Sequence, residues 1–413
     1  MSSCGCDSVK GHLTPYNEAL ERLVAAAVPV SDTERVPLDD ALHRVLAAPL
    51  RSEVDVPPSD NSAMDGYAVN SSDVTVQGAL RLPVSQRIPA GVVGEPLQAG
   101  TAARIFTGAP IPPGADAVIM QERVRVEGEE ILFDGPVARH TNVRFSAEDI
   151  AGGSEILKQG IRIRAQELGV AASIGCPQVE VYRRVRVGVF FTGDELIEPG
   201  QALGPGQIYD SNRYTIVGLL KTLGCEIVDL GIVGDTFDAT RQALIDAAEK
   251  TDLVITSGGV SVGEEDHIRT AVESLGALDM WRVKIKPGKP LAFGQVNDTP
   301  FLGLPGNPVA VFVTFCLFVA PYIKRMQGMR APVSLPMPVR ADFSWTAGRR
   351  REFVRARMVQ NAEGRSAAQI YHHQGSGVLA STSWSDGLVM IPEGLAVEPG
   401  DWVEYTAFTN LLA

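Results

Sequence analysis

The stretch DLVITSGGVSVGEEDH, residues 252–267, joins an apolar strand, a glycine turn and an acidic cluster within sixteen positions. A short β-branched run bounded by turn residues fits a strand buried on both faces. Gly258, Gly259 and Gly263 let backbone approach a ligand closely, and Glu264, Glu265 and Asp266 bring three carboxylates to the turn's exit. Such a loop can cradle an anion, hold a hard cation, or both. It fits equally a tight left-handed turn with solvated charges at a helix start, so its neighbours must decide.

Working outward, strands at 185–191, 226–230, 252–255, 281–285 and 301–304 alternate with helices at 211–223, 237–249, 268–275 and 309–326. This alternation predicts a central parallel sheet covered on both faces, with ligands beyond the carboxyl ends of its strands. Upstream, Thr14-Pro15 can cap and open a helix carrying Leu20, Leu23, Val24 and Ala27, and a second helix is expected from about Asp40 with Leu42, Val45 and Leu46. Residues 56–145 are rich in Gly and Pro with short β-type runs, an all-β insertion between helical segments, and helical spacing returns at 165–172. After Pro332 short strands and turns resume. The expected organisation is a disordered tail (1–13), a helical part split in sequence (14–55 and 146–180), the β insertion (56–145), the α/β domain (181–330) and a C-terminal β module (331–413).

Composition narrows the function. The 413 residues are 45% apolar and 21% charged, with net charge −12, which argues against a nucleic-acid binder because no basic excess neutralises phosphates. Any anion must meet local positive charge. Five scattered cysteines give no disulfide frame and indicate a reducing compartment; Cys4-Gly-Cys6 lies in a polar tail. The first thirty residues lack a signal-peptide core, and the apolar run 309–320 reads as a buried helix, so a cytoplasmic protein without a membrane span is expected.

The loops after the strands carry the chemistry: Thr192-Gly193-Asp194-Glu195-Leu196, Tyr209-Asp210-Ser211-Asn212, Gly234-Asp235, Lys286-Pro287-Gly288-Lys289-Pro290 and Leu304-Pro305-Gly306-Asn307-Pro308. Each has a plain structural reading: Asp235 as a helix cap, Lys-Pro-Gly-Lys as a type II turn, Asn307-Pro308 as an N-cap and N1 proline. Their convergence on one sheet edge favours function. Glu195, Asp235 and Asp266 can hold Mg²⁺, while Lys286, Lys289 and the helix end at Asn307 bind phosphate. Neither GxxxxGK[ST] nor GxGxxG occurs.

These motifs, with DNSAMDGYA at 60–68 and TGAP at 107–110, resemble the molybdopterin molybdotransferases, the bacterial MoeA proteins and the gephyrin E domain, over about residues 14–409. The resemblance implies a multidomain α/β plus β fold: an elongated helical part, an inserted β domain, a molybdopterin-binding α/β domain and a C-terminal β barrel. It implies an elongated homodimer with its site between subunits. The implied reaction is Mg²⁺-dependent, inserting molybdate into adenylylated molybdopterin with release of AMP, and the molybdopterin adenylyltransferase is a candidate partner for delivery.

By the resemblance, the functional acids are Asp65, Glu195, Asp235 and Asp266, the last three being candidate Mg²⁺ ligands. Substrate binding falls to Thr107, Ser257, Gly258, Gly259, Ser261, Gly263, Lys286, Lys289, Pro305, Asn307, Pro308, Arg355 and Ser376 of the His373-Gln374-Gly375-Ser376 segment. Arg282 stands where bacterial members commonly have lysine, keeping the charge in a planar fork. Two other readings are an adenylyltransferase, which usually stands as the α/β domain alone, and a scaffold without chemistry; the flanking β modules and the filled acidic positions count against them.

Overall fold

The computed structural model describes residues 13–259, 267–360 and 364–412. Its centre is a six-stranded sheet. The strands are β1 (Arg186–Thr192), β2 (Glu226–Val233), β3 (Leu253–Ser257), β4 (Gly276–Arg282), β6 (Pro290–Val296) and β7 (Thr299–Leu304), in the order β2-β1-β3-β7-β6-β4. Between β4 and β6 in sequence, the short strand β5 (Ile285–Lys286) leaves this sheet and pairs in parallel with β8 (Arg351–Gln360) of the C-terminal module.

β2, β1, β3 and β7 are parallel, whereas β6 runs antiparallel to both β7 and β4. The single strand expected over 281–285 is instead β4, ending at Arg282, and β6 is a further strand that the alternation does not announce. A hairpin explains the difference: Asn297, at φ +52°, turns the chain between β6 and β7, where no crossover helix is needed. At the other end Val283 donates its N–H to Lys289 O, closing the Lys-Pro-Gly-Lys loop.

Helices cover both faces. Val187, Val189 and Phe191 of β1 share one cluster with Ile216, Leu219 and Leu220 of α3 (Ser211–Thr222). Phe190 faces the opposite cluster with Leu244 and Ala247 of α4 (Phe237–Ala248) and Ile268 and Val272 of α5 (His267–Leu275). The period of two assigns alternate residues to opposite helix layers. Full burial of a Val, Leu, Ile or Phe side chain among them contributes about 1.5–3 kcal/mol. α6, at Pro308–Met326, is one apolar helix of 19 residues, 89% buried across its most apolar window. It continues past Pro321 because a wide π-type turn at Phe315–Val319 absorbs the missing N–H.

The N-terminal helix α1 (Tyr16–Ala26) forms as expected, but it buries Ala19, Leu20 and Leu23 in the α/β core. Pro15 is its N-cap and makes no side-chain cap bond; Thr14 instead donates its backbone N–H to Arg282 O. The second helix expected from Asp40 is replaced by a single 3-10 turn, Leu38–Asp40. Beyond it, the N–H groups of His43, Leu46 and Ala47 are bonded to Ile163, Ile161 and Glu180 carbonyls, and His43 has φ +64°. Strand pairing, Thr33–Pro37 with Gln178–Tyr182 and Leu50–Arg51 with Glu155–Leu157, joins the two halves of the split part, with α2 (Ala165–Ser173) beside them.

The inserted unit is a six-stranded sheet with hydrophobic clusters made from its own residues. Its longest strand, Gly78–Ile88, carries a weak apolar signal, because only Leu82 and Ile88 of it are buried. In the C-terminal module β8, Ser366–Ile370, Met337–Ala341, Trp402–Ala407 and Gly387–Ile391 close into a barrel.

Candidate functional site

The register of the sheet collects the polar loops. Phe191 pairs with Ser257, Ser257 with Leu304 and Thr192 with Val233, so β1, β2, β3 and β7 end level with one another. Because β4 and β7 both run antiparallel to β6, Arg282 and the 286–289 loop lie at the same edge. Gly258 donates its N–H to Leu304 O at 3.1 Å, and Asn212 Nδ2 reaches Gly306 O at 2.7 Å. The edge predicted from alternation alone is therefore a contiguous surface of TGDEL, SGG and LPGNP. Gly259 (φ +57°) shows why glycine is needed: a Cβ there would meet Ile268 Cδ1 at 2.6 Å.

Glu195 folds back over its own turn, where a Cβ on Gly193 would come within 2.7 Å of its carboxylate. Asp235 ends β2's loop, but the capping role falls to Thr236, whose side chain accepts from Ala239 N–H at 3.3 Å. Asp266, Ser261 and Gly263 lie outside the described residues. Among the described residues no group of three His, Cys, Asp or Glu stands ready for a metal ion. Ser257 is buried at the end of β3. Asp210 caps α3 through Arg213 N–H, and burial raises its carboxyl pKa.

At α6 the expected capping differs in detail. Asn307 occupies the N-cap and Pro308 N1, yet the exposed Asn307 side chain makes no cap bond. The Val309 N–H is taken by Ser376 O of the C-terminal module, at 3.0 Å. That donor is therefore already used, and the anion site expected at this helix end has fewer free N–H groups than the sequence implied.

Arg355, expected among the substrate-binding residues, is 1% exposed in this chain and turned inward. Its guanidinium bonds Ser381 Oγ, His373 O and Gly375 O, and burial pulls its pKa down to about 10. Arg355 thus fixes the segment that carries Ser376, a task that suits arginine's planar fork. Lys286 is half-exposed and paired with Glu352, a residue the sequence reading passed over. Lys289 lies in the same loop with a partner of its own, and Pro305 is buried beneath the edge.

Asp65 and Thr107 come together in the inserted β unit. Asp65 Oδ1 accepts from Thr107 N–H and Thr107 Oγ, both at 2.8 Å.

Family models cover these segments in order. Residues 14–175 match the MoeA N-terminal region (domain I and II), 188–325 a probable molybdopterin binding domain, and 338–408 the MoeA C-terminal region (domain IV). A molybdopterin molybdenumtransferase of Haemophilus influenzae is 39% identical over 92% of this chain and 95% of its own length. Molybdopterin molybdenumtransferase 2 of Mycobacterium tuberculosis is 34% identical over 95% and 97%. The crystal structure of the molybdopterin biosynthesis moeA protein from Pyrococcus horikoshii OT3 superposes with a TM-score of 0.82 at 32% identity, covering 96% of this chain and all of that one. Fold and site thus define a multidomain transferase built around a molybdopterin-binding domain. The chain belongs to the molybdopterin molybdenumtransferase family of molybdenum cofactor biosynthesis.

Proposed function

We propose that this protein inserts molybdate into adenylylated molybdopterin and releases AMP, in a Mg²⁺-dependent reaction. The observation that carries the reading is the meeting of acidic and cationic loops at one sheet edge, in a chain of net charge −12. Glu195 and Asp235, with Asp266, offer the hard oxygen donors that suit Mg²⁺ and would hold it. When bound, Mg²⁺ neutralises charge on the phosphoanhydride.

The protein's own groups do the rest. Lys286, Lys289 and Arg282 attract the oxyanion and phosphate, and the glycines at 258 and 259 admit the substrate close to backbone. Gly306 and Asn307 border the same space. Asp65, held ionised by Thr107, is an anionic acceptor. It stands on a unit with its own core, and in this reading the protein is a homodimer in which a second copy completes the site. The free thiols of half-buried Cys225 and buried Cys316 accord with a reducing, cytoplasmic setting. The adenylyltransferase that makes the substrate is the expected delivery partner. The three consecutive family matches favour this over a lone adenylyltransferase domain.

The test is reconstitution. Purified protein with Mg²⁺, molybdate and adenylylated molybdopterin should produce cofactor that activates a cofactor-free molybdoenzyme; failure with a competent apo-enzyme rejects the reading.

A further inference from the structure

Lys286 enters the sheet edge already held. Its Nζ lies 3.3 Å from both carboxylate oxygens of Glu352. Glu352 is 3% exposed, while the Lys286 side chain is 47% exposed, so a buried carboxylate is paired with a half-exposed lysine. Two further donors reach that carboxylate: Trp345 Nε1 at 3.1 Å and Gly348 N–H at 3.0 Å. The Trp345 ring also lies 6.0 Å from Lys286 Nζ.

The geometry follows from register. β5 and β8 pair in parallel, with Ile285 beside Arg351 and Lys286 beside Glu352, so the C-terminal barrel delivers the carboxylate to the loop of the α/β domain. A buried carboxylate is costly unless its lone pairs are filled. Here an indole and a backbone N–H fill part of them from within the barrel, which fixes Glu352 before the lysine arrives. The lysine stem is the flexible member, carrying about 2 kcal/mol of rotamer entropy when free.

We propose that Glu352 is a positioning residue: anchored by Trp345 and Gly348, it holds the Lys286 ammonium at the sheet edge, with its remaining N–H donors directed to the anionic part of the substrate. The proposal rests on the reading of Lys286 as a substrate-binding group. It makes the barrel part of the reaction's machinery through a residue that touches no substrate. An ammonium placed in advance meets the anion without first losing its conformational freedom.

The experiment uses the full chain, molybdate and adenylylated molybdopterin, with AMP release as readout. Glu352→Gln keeps the shape and one acceptor oxygen, so it accepts from Trp345 or Gly348 but not both, while removing the charge. It should raise KM for adenylylated molybdopterin about ten-fold with kcat within about two-fold, and Glu352→Asp should recover part of the loss. In a Lys286→Met background Glu352→Gln should change KM no further. Trp345→Phe, which removes one anchoring donor and keeps the ring, gives a second and smaller KM increase should Glu352→Gln fold poorly. A lowered melting temperature with unchanged KM in both single variants would make the pair a mere clasp between domains and overturn the proposal. An equal KM increase with and without Lys286 would overturn it too. Wild-type protein that releases no AMP defeats the underlying reading instead, a result distinct from a working enzyme indifferent to Glu352.

Discussion

Asp65 accepts two hydrogen bonds from one residue, Thr107, through its backbone N–H and its hydroxyl, both on the same carboxylate oxygen at 2.8 Å. The backbone bond, then the hydroxyl bond, hold the carboxyl below its usual range. The two residues lie 42 positions apart, on the segments MDGYA and TGAP. Asp65 is thus an ionised acceptor throughout the neutral range and not a proton donor.

Thr107→Val deletes the hydroxyl but keeps the backbone donor. We expect kcat/KM to fall about ten-fold, with Thr107→Ser near wild type. Thermal midpoints should hardly move, because the pair is solvent-exposed. Whatever stability the pair adds is present above the ordinary carboxylate value and lost as pH falls through the lowered one. Equal kcat/KM in wild type and Thr107→Val would separate this pair from the reaction.

Gly288 sits at φ +97°, and a Cβ there would meet Thr314 Cγ2 of α6 at 2.3 Å. Gly288→Ala therefore strains the backbone and pushes the Lys286–Lys289 loop off the helix, at a cost of about 1–3 kcal/mol. The melting temperature should drop and KM should rise together. Thr314→Ser, which removes the clashing methyl, should recover part of both; no recovery would assign the whole effect to φ.

Lys324 is 2% exposed, donates to Leu411 O at 2.9 Å, and burial pulls its pKa down from 10.5 to about 8. Between those values the unfolded chain binds more protons than the folded one, so this group's contribution to stability rises with pH across about 8 to 10.5. Denaturant midpoints of wild type and Lys324→Met, compared over this window, should diverge in favour of wild type as pH increases. Parallel curves would show that Lys324 does not titrate in the fold.

The sequence made the sheet edge legible because strand–helix alternation is a local pattern, and the polar loops follow the strands directly. Its failures were non-local. Residues 40–46 carry helical spacing, yet the carbonyls of Ile163 and Ile161 capture the N–H groups of His43 and Leu46, and no local pattern reports that competition. β6 was hidden by a hairpin inside a run read as crossovers. Glu352 escaped notice because its role depends on the pairing of β5 with β8, 66 residues apart. Arg355 was legible as a cation but not as a buried one: only the packed barrel turns its guanidinium onto the 373–375 carbonyls.

The central claim is that molybdate insertion releases AMP from adenylylated molybdopterin at this edge. The most direct measurement is a single turnover of wild type and Asp266→Ala with Mg²⁺ and molybdate, following AMP. The account predicts one AMP per substrate consumed for wild type, none after Mg²⁺ is chelated, and a loss of at least about a hundred-fold in the variant with its melting temperature retained. AMP release at the wild-type rate from Asp266→Ala, or none from wild type, would contradict it.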